Sequence, residues 1–172
     1  ALEEMRAAGS EQAALARHAP GSEASMVLFF PGCQLAGIRP AQTLRLYDRL
    51  LELEPQTGIW LDCCAAPAHW SGRTEEFAEL AKKLETIWID MGGPKVVTAC
   101  STCLKMFREH LPQLGAVSVW TVLAGQSVPA GAAHQALALS DPCTSRHDEG
   151  TRKDVRTLLE NMGQPLAALP MS

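Results

Sequence analysis

The chain has 172 residues, 47% hydrophobic and 20% charged, with a formal net charge of −4 at pH 7. That is a globular composition with enough length for one ordinary domain and a real core, and it excludes a disordered or fibrous chain. The basic residues are scattered and leave no electrostatic footprint for nucleic acid or an acidic membrane surface. No uncharged apolar run reaches the ~20 residues needed to cross a bilayer, and the amino end lacks the segments of a secretory signal. A cytoplasmic protein with neither a nucleic-acid partner nor direct membrane insertion is expected.

Residues 1–19 are Ala-rich and polar with Leu2, Met5 and Leu15 as the large apolar anchors, which predicts a helix. The following PGSEAS reads as a linker, so residues 1–25 form an N-terminal helix and connector. From Met26 the texture changes to alternating strands and helices. MVLFFPG is a strand running into Cys33, and 41–54 is an amphipathic helix with Leu44, Tyr47 and Leu51 on one face and Leu50 beside them, stopped by Pro55. GIWLD is a strand ending at Cys63. Phe77, Leu80, Ala81, Leu84, Trp88 and Met91 recur at intervals of three and four, which predicts a helix over 74–91. Thr74 is placed to cap it, Glu75 and Glu76 suit its positive end, and Gly92-Gly93-Pro94 end it.

KVVTA is a strand ending at Cys100, and Ser101–Leu111 a helix that starts within a CxxC. A strand at Val117–Trp120, a loose stretch near 125–133, a fourth strand-like run HQALALSDP ending at Cys143, and a helix over 149–162 closed by Gly163 complete the chain. The alternation implies an α/β fold with a largely parallel sheet, flanking helices and right-handed crossovers, the cysteines standing at the carboxyl ends of the strands. A weak repeat is visible: Leu50-Leu51-Glu52 follows Cys33 much as Leu158-Leu159-Glu160 follows Cys143. Residues 26–134 read as a first cysteine-rich unit and 135–172 as the start of a second, in a chain that looks like an excised piece.

Five of the six cysteines form one pattern: Cys33, the adjacent pair Cys63 and Cys64, and Cys100 with Cys103. Twenty-nine residues lie between Cys33 and Cys63, 35 between Cys64 and Cys100, and 2 between Cys100 and Cys103. In a reducing compartment such thiols are metal ligands or redox groups rather than structural disulfides, and an adjacent pair makes a poor disulfide framework. Open α/β sheets gather their ligands outside the carboxyl ends of the strands, where helix amino ends point. Half a positive charge and free N–H groups at those ends favour thiolates, so lowered cysteine pKa values are expected. Thiolates in close convergence are what an iron cluster needs. Five exceed by one what a cubane cluster or a tetrahedral zinc site requires.

PGC at 31–33, DCCAAP at 62–67, VVTACSTC at 96–103 and DPC at 141–143 resemble the cysteine-rich CCG domain, which occurs in the cysteine-rich subunit of heterodisulfide reductase and in iron–sulfur subunits of glycolate oxidase and lactate-utilisation systems. The resemblance covers residues 26–172. It implies an iron–sulfur oxidoreductase subunit that transfers electrons through a 4Fe–4S cluster, of an unusual non-cubane type, and that acts on a small disulfide substrate. Its implied ligands are Cys33, Cys63, Cys64, Cys100 and Cys103, with Cys143 as first ligand of a second site. Its implied partners are other subunits or domains of a redox complex, carrying an iron–sulfur or flavin electron donor. The piece alone is expected to be inactive. Ala65 departs from the glycine usual after the pair, and is costly if the position needs a positive φ.

Two other classes compete. Zinc held by four thiolates would make a structural module, and Cys100 with Cys103 alone would make a dithiol–disulfide redox protein. His69, five residues past Cys64, is a candidate proton donor or spare ligand. His110, His134 and His147 lack ligand spacing and read as surface residues. Trp60, Trp70, Trp88 and Trp120 read as core or interface. Arg146 and His147 read as a solvated turn after Cys143.

Overall fold

The computed structural model describes residues 2–10, 13–126 and 135–167, which fall into two compact units divided between Val117 and Ser118. In the first, helix α1 (Leu2–Ala8) and strand β1 (Leu15–Arg17) precede β2 (Val27–Phe30), α2 (Cys33–Ile38), α3 (Pro40–Leu53) and β3 (Thr57–Leu61). Then come α4 (Ala66–Trp70), α5 (Thr74–Asp90), β4 (Lys95–Thr98), α6 (Ser101–His110) and β5 (Val117–Ser118), which spans the boundary. The second unit contains α7 (Val119–Ala124), β6 (Leu137–Ala138), α8 (Glu149–Asn161) and β7 (Leu166–Ala167). The protein is α/β, as the alternation predicts. No described helix is long and apolar enough to cross a membrane.

The main sheet has the order β1-β3-β2-β4-β5. Strand β2 is parallel to β3 on one side and to β4 on the other, whereas β1 joins the edge antiparallel to β3. A parallel strand with both faces covered must be apolar throughout. In β2, Leu28, Phe29 and Phe30 are all fully buried. Phe30 sits in an aromatic group with Trp60 and Phe107, at ring distances of 5.1 and 4.9 Å and near-perpendicular planes. Leu84 of α5 and Leu104 and Met106 of α6 fill the same face. On the opposite face Phe29 stacks on Tyr47 of α3, whose hydroxyl donates to Thr57 O at 2.9 Å.

Several local expectations are corrected. The N-terminal helix covers only Leu2–Ala8, and Leu15–Arg17 is a strand because its backbone finds partners on β3. The connector is tied down as well, since Ser25 Oγ accepts from Ala19 N–H at 3.0 Å. Helix α3 is turned by about one position: Thr43 and Leu50 are buried while Leu44 is 58% exposed, because Tyr47 fixes which side meets the sheet. No side chain caps α5, and Thr74 Oγ1 turns back to Gly72 O at 3.4 Å. Strand β5 stops at Ser118, whose Oγ accepts from Trp120 N–H and starts α7 instead. Among the described residues of HQALALSDP only Leu137–Ala138 is a strand, and it pairs with β7 in a separate two-stranded sheet. The stretch near 125–133 lies largely outside the described residues.

Gly58 shows how tightly the edge is built: a Cβ there would lie 2.5 Å from Arg17 O, 2.7 Å from Ser25 Oγ and 2.8 Å from Leu28 Cδ2. Two of those atoms are a backbone oxygen and a central core side chain, so neither gives way cheaply. Gly58→Ala should destabilise the protein by about 1–3 kcal/mol through overpacking, measured by chemical denaturation. A variant as stable as the parent would show that β1 is not seated on β3 in this register.

Candidate functional site

Strand order decides where the site lies. The chain leaves β2 to form β3 on one side and then crosses to form β4 on the other, so the carboxyl end of β2 is a topological switch point, where loops on the two sides diverge and leave a crevice. Cys33 follows β2, Cys63 and Cys64 follow β3, and Cys100 and Cys103 follow β4. All five thiols are free and converge there.

They form a continuous chain of contacts. Cys33 Sγ donates to Cys63 Sγ at 3.6 Å. Cys63 is hydrogen-bonded to Cys64, Cys64 to Cys103, and Cys103 to Cys100. Gly32 makes the close approach possible: a Cβ there would stand 3.0 Å from Cys100 Cβ and 3.2 Å from Cys103 Sγ. Its φ of 85° also suits glycine alone. Among the described residues, no three or more His, Cys, Asp or Glu side chains surround a common point as a ready-made ion site. The sulfurs hold one another, and gathering them around a cofactor requires thiol protons to leave and side chains to turn.

The backbone is aimed at the sulfurs. N–H groups of Gln34, Ala65, Ala66 and Thr102 donate to Cys33, Cys63, Cys64 and Cys100 respectively. Ala65 adopts φ 61° and ψ 12°, and it is the one non-glycine with positive φ among the described residues. The cost anticipated for alanine after the pair is therefore real, about 1–2 kcal/mol for a left-handed non-glycine residue. In return the reversed turn directs two successive N–H groups at the paired cysteines.

The expectation of uniformly lowered thiol pKa values is corrected. Cys64 is lowered because Cys103 and Cys63 both donate to it. Cys100 is lowered to about 6, first by the hydrogen bond from Cys103, against burial and with help from backbone N–H groups. Cys33 is raised well above the usual thiol range by donating to Cys63 and by burial. Cys63 gains from Cys33, but its bond to Cys64 and its burial push it up to about 12. Cys103 is raised by its bonds to Cys100 and Cys64 and by burial. Five adjacent thiols in a half-dry crevice cannot all ionise, so they divide into acceptors and donors.

Cys143 lies in the second unit, exposed in the turn 143–147, and is not carried by a strand of the main sheet. Arg146 and His147 are exposed in that turn, as predicted. The preceding Asp141 is gripped by Arg152 Nε at 2.8 Å and Arg156 Nη2 at 2.9 Å, which hold its carboxyl below the usual range. Opposite charges 11 and 15 residues apart carried no signal in the sequence.

His69 is exposed on α4, its ring 4.6 Å from His110 and 4.9 Å from Phe77. His110 is half-buried, with Nε2 enclosed and unbonded, which corrects its reading as a surface residue: α6 ends against α4 and α5. His134 lies outside the described residues. Trp60 is core with its Nε1 unbonded, Trp88 donates to Pro94 O at 2.7 Å, and Trp70 is 58% exposed. Sequence reasoning missed Asp62. It is 5% exposed, its Oδ1 accepts from Cys63 N–H at 2.7 Å, and Lys83 Nζ stands 3.7 Å from Oδ2 while donating to Gly9 O. A carboxylate immediately before the paired cysteines was the available signal.

Comparison with known families finds the CCG cysteine-rich domain at residues 27–108, a span that contains all five clustered cysteines. That match is consistent with an iron–sulfur or metal-binding redox domain. No curated protein and no solved structure matches the chain.

In metal-free, reduced Cys143→Ser protein, alkylation of Cys100 by iodoacetamide should rise with pH and level off above about 6, because its thiolate is already formed there. Peptide mass spectrometry reads the site, and a rate still climbing steeply at pH 8 would contradict the assignment. Gly32→Ala should push the α2 loop off Cys100 and Cys103 and cost about 1–3 kcal/mol. Its effect is checked by denaturation and by altered reactivity of Cys103.

Proposed function

We propose that the CCG cysteine-rich domain at residues 27–108 is the cluster-binding part of an iron–sulfur oxidoreductase, in which Cys33, Cys63, Cys64, Cys100 and Cys103 hold a 4Fe–4S type cluster. The observation that carries the reading is the unbroken run of five thiols, delivered by three successive strand ends to one switch point. The donor set suits the group: thiolates are the ligands of iron–sulfur clusters, and a fifth fits a non-cubane arrangement. When bound, such a cluster takes up and passes on single electrons, and the reaction it serves is reduction of a small disulfide.

The chain's own residues bind, orient and shield. Cys64 and Cys100 are poised as thiolates, while Cys33, Cys63 and Cys103 must give up protons to become ligands. Backbone N–H groups of Gln34, Ala65, Ala66 and Thr102 remain as donors to sulfur, which favours the more reduced and negatively charged state. Leu104, Met106, Phe107 and Trp60 close the inner side and keep water from it. The proposed partners are other members of a redox complex bearing an iron–sulfur or flavin donor, and Cys143 is proposed as the first ligand of a second site.

A second reading has its own support: Cys33 with Cys63, and Cys100 with Cys103, are already adjacent thiol pairs that could exchange with disulfides without metal. Zinc in a structural role is the third class to be separated.

Anaerobic reconstitution should give absorbance at about 400 nm, an EPR signal on reduction, and about four irons per chain. Cys64→Ser should lose most of the iron while Cys143→Ser keeps it. Iron-free protein holding one tight zinc would overturn the reading in favour of the structural module. Because three of the ligands are raised above the ordinary thiol pKa, metal binding releases protons and should tighten from about pH 6 to pH 9. Proton release on anaerobic loading measures this.

A further inference from the structure

The N-terminal segment lies wholly outside residues 27–108, yet it is built onto the thiols. Met5 of α1 is 2% exposed and packs in one cluster with Cys63, Ala65 and Ala68, with Leu2, Ala8, Cys33, Phe77 and Leu80 around them. Three independent ties hold α1 and the residues after it. Arg6 makes a two-pronged contact with Glu76 of α5 at 2.8 and 3.1 Å, Lys83 donates to Gly9 O at 2.6 Å, and β1 pairs along β3. A helix of seven residues has no stability of its own. Its place depends on these ties and on the burial of Met5.

Beside Met5 the cover leaves a recess of about 240 Å³, bordered by Ala8 and Ala13 from the N-terminal segment, Cys33, Ala36 and Gly37 from α2, and Asp62. With Leu61 added, the walls are mostly apolar and, that residue apart, small. Asp62 borders the recess, but its Oδ2 is enclosed and faces the Lys83 ammonium 3.7 Å away. The recess holds the volume of only about eight waters, below the range of ordinary ligand pockets of about 300–1,000 Å³.

We propose that residues 2–10 and 13–17 are a cover belonging to the site: Met5 seals the Cys63 side, and the recess it leaves at Cys33 admits small uncharged molecules of a few heavy atoms, while excluding bulky ones. A two- or three-carbon thiol, or the half of a small disulfide derived from it, has the right size. The sulfur meets Cys33. This rests on the reading of the thiols as a reactive centre, and it deepens that reading by adding a size limit set by a segment outside the shared motif.

The test uses the full chain, reduced and metal-free, so its result does not depend on whether a cluster forms. Each cysteine is alkylated in parallel by iodoacetamide and by a fluorescein-bearing maleimide, and the small-to-bulky rate ratio at each is divided by that at exposed Cys143. Taking the ratio at a single thiol removes its own pKa. In the parent chain the normalised ratio at Cys33 and Cys63 should be about tenfold or more, since the bulky reagent must wait for local opening. Met5→Ala should bring Cys63 down toward one, and Arg6→Ala, which removes only an exposed tie, should lower both ratios part of the way. A parent ratio near one at Cys33 would overturn the proposal. So would an unchanged ratio at Cys63 in both variants, with circular dichroism and denaturation showing them folded. Should the chain bind no iron while these ratios behave as described, the cluster reading fails and the cover stands.

Discussion

Gly32 has no side chain, and at that point the loop leaving the central strand passes against the cysteines carried by α6. The tight packing of the site depends on this contact. It brings Cys33, from the β2 side of the crevice, to Cys100 and Cys103, from the β4 side. Cys63 and Cys64 then close the gap from β3. Without that approach Cys33 would stand off from Cys100 and Cys103, and the five thiols would be less tightly gathered.

The electrostatics of the crevice follow from the same crowding. Thiols in contact share protons, so Cys64 and Cys100 are acid-shifted at the expense of Cys33, Cys63 and Cys103. Helix amino ends and turn N–H groups favour sulfur anions, but they act on a coupled set rather than on five independent groups. The left-handed turn at Ala65 belongs to the same arrangement of donors. An alanine held where glycine is easier, at the loop bearing the paired cysteines, fits the tendency of strained backbone to persist where the surroundings fix it. The burial of Ala65 against Met5 supplies that surrounding.

Much of this was legible along the chain. The strand-to-cysteine grammar placed three strand ends, and the periodicity of Phe77, Leu80, Leu84 and Trp88 placed α5 to within a residue. What escaped notice depended on partners distant in sequence. Strand β1 is three residues long and exists because β3 accepts it, so no local propensity marks it. The inward face of α3 is chosen by the Tyr47 hydroxyl and its stacking on Phe29, and for that reason Leu44 faces solvent although the spacing favoured it. His110 reads as a surface residue until α4 and α5 are packed against the end of α6.

Residue type and interval settle which atoms are available: five thiols at set spacings behind apolar runs, a glycine ahead of the first, an acid ahead of the pair. These are local facts and need no folded chain to be read. Packing in three dimensions adds that β2 stands between β3 and β4, so that the three loops meet rather than fan out along an edge. It also sets which thiols keep their protons, and it lays Met5 over Cys63. Strand order, shared protons and burial are properties of groups brought together across tens of residues, and no interval in the chain encodes them singly.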